Sequence, residues 1–244
     1  MNEKYNLKSI ITGLLIIIAG ILVVLFDIFY AKTDINLWVS IGCSLLASGI
    51  VILVTALLVE RKKVDYLEDW GLEKIYETRA EKNKDSDPKL DKAKKQVDVV
   101  AFGLKSFREK HSKKVEKLLK KGINFRILTM DPGKTNIFLN QREKEENETE
   151  GQIRNSINKL VSWANHLNSR DYKGRIEIKG YKCMTLDFYW RVDDDVYIGP
   201  YWYGVGSQQT ITYKFNKGKK GFEIYTEYFD KLWNDEENND ILTK

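Results

Sequence analysis

Two long apolar runs at the start of the chain restrict its fold more than any other feature. Residues 10–30, IITGLLIIIAGILVVLFDIFY, carry one charge, Asp27, and residues 37–59, LWVSIGCSLLASGIVILVTALLV, carry none. At about 1.5 Å per residue, roughly 20 apolar residues cross the hydrocarbon core of a bilayer. Each run meets that length, so both are expected to be transmembrane helices. A cleaved signal peptide would have an apolar core of about 7–15 residues followed by a small-residue cleavage site. The first run is too long for that, and a second run follows at once.

The AKTDIN link is short enough to force an antiparallel hairpin. Lys4 and Lys8 precede the first run, and Arg61, Lys62 and Lys63 follow the second. Basic flanks stay on the cytoplasmic side, which predicts a two-pass inner-membrane protein over residues 1–60, with both termini cytoplasmic. Small residues gather on one side of each helix. Ser40, Ser44, Ala47, Ser48 and Thr55 span about 100° of arc, and Ser9, Thr12, Gly13, Ala19, Gly20 and Asp27 span about 120°. Small faces let helices approach closely in lipid, and hydroxyls bond across the contact. Two arrangements stay open: a hairpin that packs on itself, or a homo-oligomeric bundle or pore lined by Thr12, Ser40, Ser44, Ser48 and Thr55 with Asp27 at its mouth. Asp27 can also reach the headgroups at low cost.

The rest of the chain is different in kind. The first 60 residues hold three Lys/Arg and four Asp/Glu, leaving 37 against 31 beyond them. Two cysteines, Cys43 and Cys183, argue against a disulfide framework and fit a reducing compartment. Only two histidines occur, His111 and His166, which limits imidazole-based catalysis and metal binding; neither a metal nor a cofactor is expected.

Residues 61–96 are expected to form a helical stalk: Val64, Leu67, Trp70, Leu72, Ile75 and Tyr76 keep close to a helical period, Gly71 is a break, and Ser86 and Asp87 before Pro88 mark a helix start. From residue 97 the pattern alternates. VDVVAFG, INFRILTM and GRIEIKGY read as strands. The segment from Lys105 to Gly122 and the one from Gly151 to Arg170 read as amphipathic helices. DFYWRV and VYIGPYWYG form a hairpin, followed by a strand in QTITYKFN and a last helix in FEIYTEYFDKLWND. This describes a three-layer α/β domain over 97–244.

VVAFGLKSF, LLKKGINFRILTMDP, IEIKGY, RVDDDVYIGPYWYG and YFDKLW together resemble one half of the phospholipase D-like fold, over roughly residues 71–234. GLEKIYETR resembles the lead-in of bacterial membrane-anchored members. The resemblance implies a site built on H-x-K-x4-D, in which the histidine attacks phosphorus and the lysine holds phosphate oxygens. Read back from Gly199, the corresponding stretch is CMTLDFYWRVDDD, with neither histidine nor lysine. His111 begins HSK, but in the basic helix between the first two strands. The half-domain is therefore degenerate, and the expectation is that it recognises rather than cuts. The three aspartates read as a solvated hairpin bend flanked by Val192, Val196 and Ile198 on a buried face, since neighbours on a strand point to opposite faces and chelate poorly.

A dead site can keep its cleft. In α/β sheets ligands sit beyond the carboxyl ends of strands, where GLKS and MDPGKTN stand. Each offers a glycine, backbone amides, a lysine and hydroxyls for a phosphate, making Lys105, Ser106, Asp131, Lys134 and Thr135 candidates. DPGKTN lacks the upstream glycine of a P-loop, no helix clearly follows it, and it also reads as a plain turn. Trp190 and Tyr201 offer stacking surfaces for a base, with Arg191 beside them. Between residues 105 and 126 lie nine Lys/Arg and two Glu, a solvated face or one drawn to anionic lipid or nucleic acid. The leading expectation is a membrane sensor or effector that binds a nucleotide-type ligand or a protein partner and controls its transmembrane helices, an arrangement found among prokaryotic antiviral membrane effectors. A phosphodiesterase or nuclease with a nonstandard or intersubunit site, and a passive membrane scaffold, are the alternatives.

Overall fold

The structure, a computed structural model, describes residues 7–31, 37–59, 66–133, 135–183 and 187–244. The chain divides into two compact units that meet between Asp69 and Trp70.

The first unit is a helical hairpin. Helix α1 spans Leu7–Phe26 and helix α2 spans Leu37–Val54, and each ends in a π-helical turn, Asp27–Ala31 and Thr55–Val59. Both are long and apolar enough to cross a membrane. Their contact repeats every seven residues: Gly13, Gly20 and Asp27 on the first run and Gly42, Gly49 and Ala56 on the second are all buried. A seven-residue step drifts only about 20° around an α-helix, so each set keeps one face. A Cβ on Gly20 would lie 2.9 Å from the Gly42 carbonyl oxygen, and one on Gly49 would lie 2.9 Å from that of Gly13. The backbones therefore touch directly. This corrects the expected seam on the second helix. Ser40, Ser44, Ser48 and Thr55, like Thr12, are exposed, and the Ser44 and Ser48 hydroxyls donate to the carbonyls one turn earlier, at 3.0 and 2.9 Å. Glycines make the closer contact, and the hydroxyls are satisfied within their own helix.

The second unit is a sheet of eight strands: β1 (Leu72–Tyr76), β2 (Gln96–Val100), β3 (Asn124–Met130), β4 (Ile176–Tyr181), β5 (Asp187–Val192), β6 (Asp195–Pro200), β7 (Thr212–Asn216) and β8 (Asn239–Ile241). Their order is β1-β7-β6-β5-β2-β3-β4-β8. The three central strands β2, β3 and β4 run parallel, and every other pairing is antiparallel. Helices α3 (Arg79–Leu90), α4 (Lys105–Lys120), α5 (Ile137–Glu145), α6 (Gln152–Asn168) and α7 (Lys220–Trp233) complete it. Alternate residues of β2 feed two separate cores. Val97, Val99 and Ala101 meet Leu90 of α3, Val115 and Leu119 of α4 and Leu160 of α6; Val100 meets Phe222, Phe229 and Trp233 of α7. The expected three layers are present.

Helix α4 is amphipathic, burying Phe107, His111, Val115, Leu118 and Leu119. It stops at Gly122, whose φ of 89° suits glycine, with the Ile123 and Gly122 amides returning to the Leu118 and Leu119 carbonyls. The sheet differs from expectation at its start. Residues 72–76 form an edge strand on β7 rather than a stalk helix: Gly71, at φ 69°, breaks the chain, and Tyr76 turns inward while Ile75 stays exposed. Helix α3 begins at Arg79, capped by the Thr78 hydroxyl, and Pro88 lies in its last turn rather than its first. The compact unit therefore opens at Trp70, not at residue 97. A further helix, α5, follows DPGKTN, with Asn136 accepting from the Phe138 and Leu139 amides.

The three aspartates of the β5–β6 bend serve three separate purposes. Asp193, at φ 50°, accepts from the backbone amides of Lys94, Lys95 and Gln96 at 2.7, 2.8 and 3.1 Å. Asp194 pairs with Lys95 and Lys217, and Asp195 with Lys89 and Lys214. Val192 enters the first core while Val196 and Ile198 enter the second, because both faces of the sheet are covered.

Candidate functional site

A cleft of about 960 Å³ opens where β2 gives way to α4, within the range of small-ligand sites. The 101–104 turn forms one wall. The Ser156 hydroxyl donates to the Gly103 carbonyl and anchors this turn to α6. Leu104 takes a left-handed backbone, φ 46°, and offers no side-chain cap to α4. The first-turn amides of that helix thus start without an intrahelical partner, at the positive end of its dipole.

The opposite wall is α3, whose buried stripe is Arg79, Lys82, Ser86 and Leu90. Two of those four positions are cations. Arg79 is 3% exposed and lies 4.0 Å above the Phe188 ring and 4.8 Å from Tyr201; its Nη2 donates to the Thr210 hydroxyl at 3.0 Å, and its Nε has no partner. Lys82 is 2% exposed, and its ammonium faces the rings of Phe188, Trp190 and Tyr197 at 5.1, 4.8 and 5.4 Å. The nearby acids are engaged elsewhere: Asp85 accepts from the Tyr76 and Tyr197 hydroxyls, and Asp87 lies 3.4 Å from His111 Nε2. Burial and then the Arg79 charge pull the Lys82 amine down from 10.5 to about 7. Burial likewise lowers Arg79.

Unpartnered polar atoms gather here. Arg79 Nε, Arg108 Nη1, Trp190 Nε1 and His111 Nδ1 all belong to residues lining the cleft, and all are buried without a hydrogen-bond partner. Buried donors are normally satisfied, by protein, water or ligand. Glu109, Glu146, Glu148 and Glu150 also line the cleft.

Of the predicted residues, Lys105, Ser106, Trp190 and Tyr201 line this cleft. Asp131, Thr135 and Arg191 do not. Asp131 closes its own turn by accepting from the Gly133 amide, and Thr135 is exposed. Arg191 points to the other face of the sheet, 3.5 Å from buried Asp98 and 5.1 Å from the Phe222 ring. Lys134 lies outside the described residues. The aromatic roles also change. Trp190 is covered by Lys82 and by the edge of Phe107, while Tyr201 stacks on Phe102 at 4.4 Å and carries Arg79. These rings hold cations rather than offering faces to a base. His111 joins Lys82 and Lys110 in lining the cleft. Burial lowers its pKa, its Nε2 faces Asp87, and its Nδ1 is enclosed.

No protein-family model matches the chain, and no characterised protein matches it in sequence. Among solved structures it is similar to TrmBL2, an archaeal chromatin protein with a DNA-binding mode of its own, at 11% identity and a TM-score of 0.42, over 82% of this chain and 69% of that one. It is similar to NucT from Helicobacter pylori at 9% identity and a TM-score of 0.41, over 65% of this chain and 93% of that one. Scores at this level do not establish a common fold. What the chain has is a pair of N-terminal apolar helices followed by a mixed α/β sheet unit with an aromatic-walled cleft that carries charges of both signs.

Proposed function

We propose that this is a two-pass membrane sensor with its α/β unit in the cytoplasm. That unit, akin to a phospholipase D-like half-domain without its His-Lys pair, binds a small anionic ligand of nucleotide type in the Arg79–Lys82 cleft. Occupancy then changes how the two-helix hairpins associate. One observation carries the reading: two buried cations line the cleft and, among the described residues, neither is ion-paired or hydrogen-bonded to a carboxylate, so an anion supplied from solution would complete the site. On β5, the strand that would hold the catalytic pair, Phe188 and Trp190 face the cleft instead. Full-length protein reconstituted in dye-loaded liposomes tests the whole chain of events. Nucleotides should change dye release for the native chain and not for Lys82→Gln. Identical release from both proteins under every nucleotide would refute the reading.

A second reading has one specific observation in its favour: Asp87, His111 and Lys82 line one cleft, as phosphoryl chemistry with a nonstandard nucleophile would need. Cleavage of chromogenic phosphate esters by the purified chain, abolished by His111→Asn, would establish it.

A further inference from the structure

We propose that the Arg79–Lys82 end of the cleft is a receptor for a terminal phosphomonoester, bound as its dianion, and that internal phosphodiesters are discriminated against. This rests on the anion-binding reading above and names the ligand group it would take.

Charge matching favours such a ligand. Arg79 and Lys82 stand three residues apart on α3 and share the Phe188 ring, and among the described residues neither has a hydrogen-bonded or ion-paired carboxylate. The carboxylates nearest these two buried cations, Asp85, Asp87 and Glu146, are engaged with other groups. A ligand bringing two negative charges therefore matches the pair better than one bringing a single charge, because a poorly matched buried charge keeps its desolvation cost. A phosphodiester or a carboxylate brings one. A phosphomonoester brings up to two above its second pKa of about 6, with three acceptor oxygens. The donor inventory fits such a group: Arg79 Nε and Trp190 Nε1 are unpartnered at this end, Lys82 has three N–H bonds to give, and Phe107, 5.2 Å from Trp190, stands in the uncapped first turn of α4. Aromatic faces on β5 and β6 restrain the Lys82 ammonium before the ligand arrives, which lowers the ordering cost of binding.

Protonation follows from the same geometry. The charged or titratable groups around Lys82 are Arg79, Asp85 and Asp87 on its own helix and Tyr197 on β6. Its amine, at about 7 in the free protein, rises when a dianion docks, so binding takes up a proton. Affinity should peak between about pH 6, where the ligand becomes dianionic, and pH 7, and then fall by up to about tenfold per pH unit.

The test is calorimetry on the full chain in detergent micelles. Nucleoside 5′-monophosphates of all four bases are compared with the corresponding 3′,5′-cyclic monophosphates, in two buffers of different ionisation enthalpy. The expected result is a preference of tenfold or more for the monophosphates, with proton uptake at pH 7.5. Arg79→Gln should reduce the preference, and Lys82→Gln should abolish both preference and proton uptake. Equal affinity for the two sets, or a preference that survives Lys82→Gln, would overturn the dianion assignment while leaving the anion-binding cleft standing. Binding of neither set would overturn the cleft reading itself.

Discussion

Replacing Lys82 by methionine should make the protein more stable while disabling its cleft. The amine sits at 10.5 when solvated and at about 7 in the folded chain. A folded-state pKa below the unfolded one means that folding opposes protonation. The penalty is absent above pH 10.5, grows as pH falls, and is complete below about 7. At about 1.36 kcal/mol per pH unit, the full penalty is on the order of 5 kcal/mol, and near pH 9 it is about 2 kcal/mol. Methionine keeps the unbranched stem against Phe188, Trp190 and Tyr197 and removes the charge. It forfeits the ring contacts of the ammonium, worth roughly 1–2 kcal/mol. The expected net gain is therefore about 3 kcal/mol at pH 6, where the folded amine is charged, and about 2 kcal/mol near pH 9, where it is neutral and has no ammonium contacts to lose. Urea unfolding of the full chain in detergent micelles, followed by tryptophan fluorescence at pH 6, 7.5 and 9, measures it. A stability change that is negative, or positive but the same at all three pH values, would refute the reasoning.

Other sites give sharper structural tests. Asp98 is fully buried and accepts from Gln96 and from both Arg126 Nε and Nη2, at 2.7, 2.8 and 2.9 Å. Asp98→Ala removes the carboxylate shared by Arg126 and Arg191, leaving Arg126 with Asp230 alone, and should cost about 3–5 kcal/mol in the same urea assay. Glu143 accepts from the Gly151, Ile153 and Arg154 amides at the start of α6, so Glu143→Ala should cost about 1–3 kcal/mol and raise amide exchange in the first turn of that helix. In the hairpin, a Cβ at Gly42 would lie 2.5 Å from Val24 Cγ2 and 2.9 Å from the Gly20 carbonyl. Gly42→Leu should push the helices apart at a cost of about 1–3 kcal/mol, read as a longer distance between spin labels at Ile11 and Val51.

Much of this architecture was legible because strands and helices kept clean periods. The α4 and α6 stripes, the strands β2, β3 and β4 and the bend at the three aspartates all followed from spacing and turn residues. Residues 72–76 misled because Leu72 and Tyr76 satisfy an alternating period as well as a helical one, and only pairing with β7 decides between them. The two residues that dominate the site were passed over for a physical reason. Arg79 and Lys82 occupy core-facing positions of α3, with Ser86 and Leu90 completing a 3-4-4 spacing, and that stripe is too polar to look like a buried face. The usable trace was the spacing alone. The hairpin seam left a plainer trace, glycines seven apart at 13, 20, 42 and 49. The serines drew attention instead because hydroxyls suggest bonds between helices, whereas here they close on their own backbone. Trp190 and Tyr201 do line the cleft, but a sequence does not reveal that cations lie against their rings.

The ends of the eight-stranded sheet bear on how copies of this chain could meet. β8 is three residues long, and β1 is five residues long with a register slip between Leu72 and Lys74. A short outer strand and a slipped one make poor templates for a neighbour's backbone. Ribbon-like growth by strand addition is thereby discouraged at both margins, which leaves side-chain surfaces as the ground on which copies could meet.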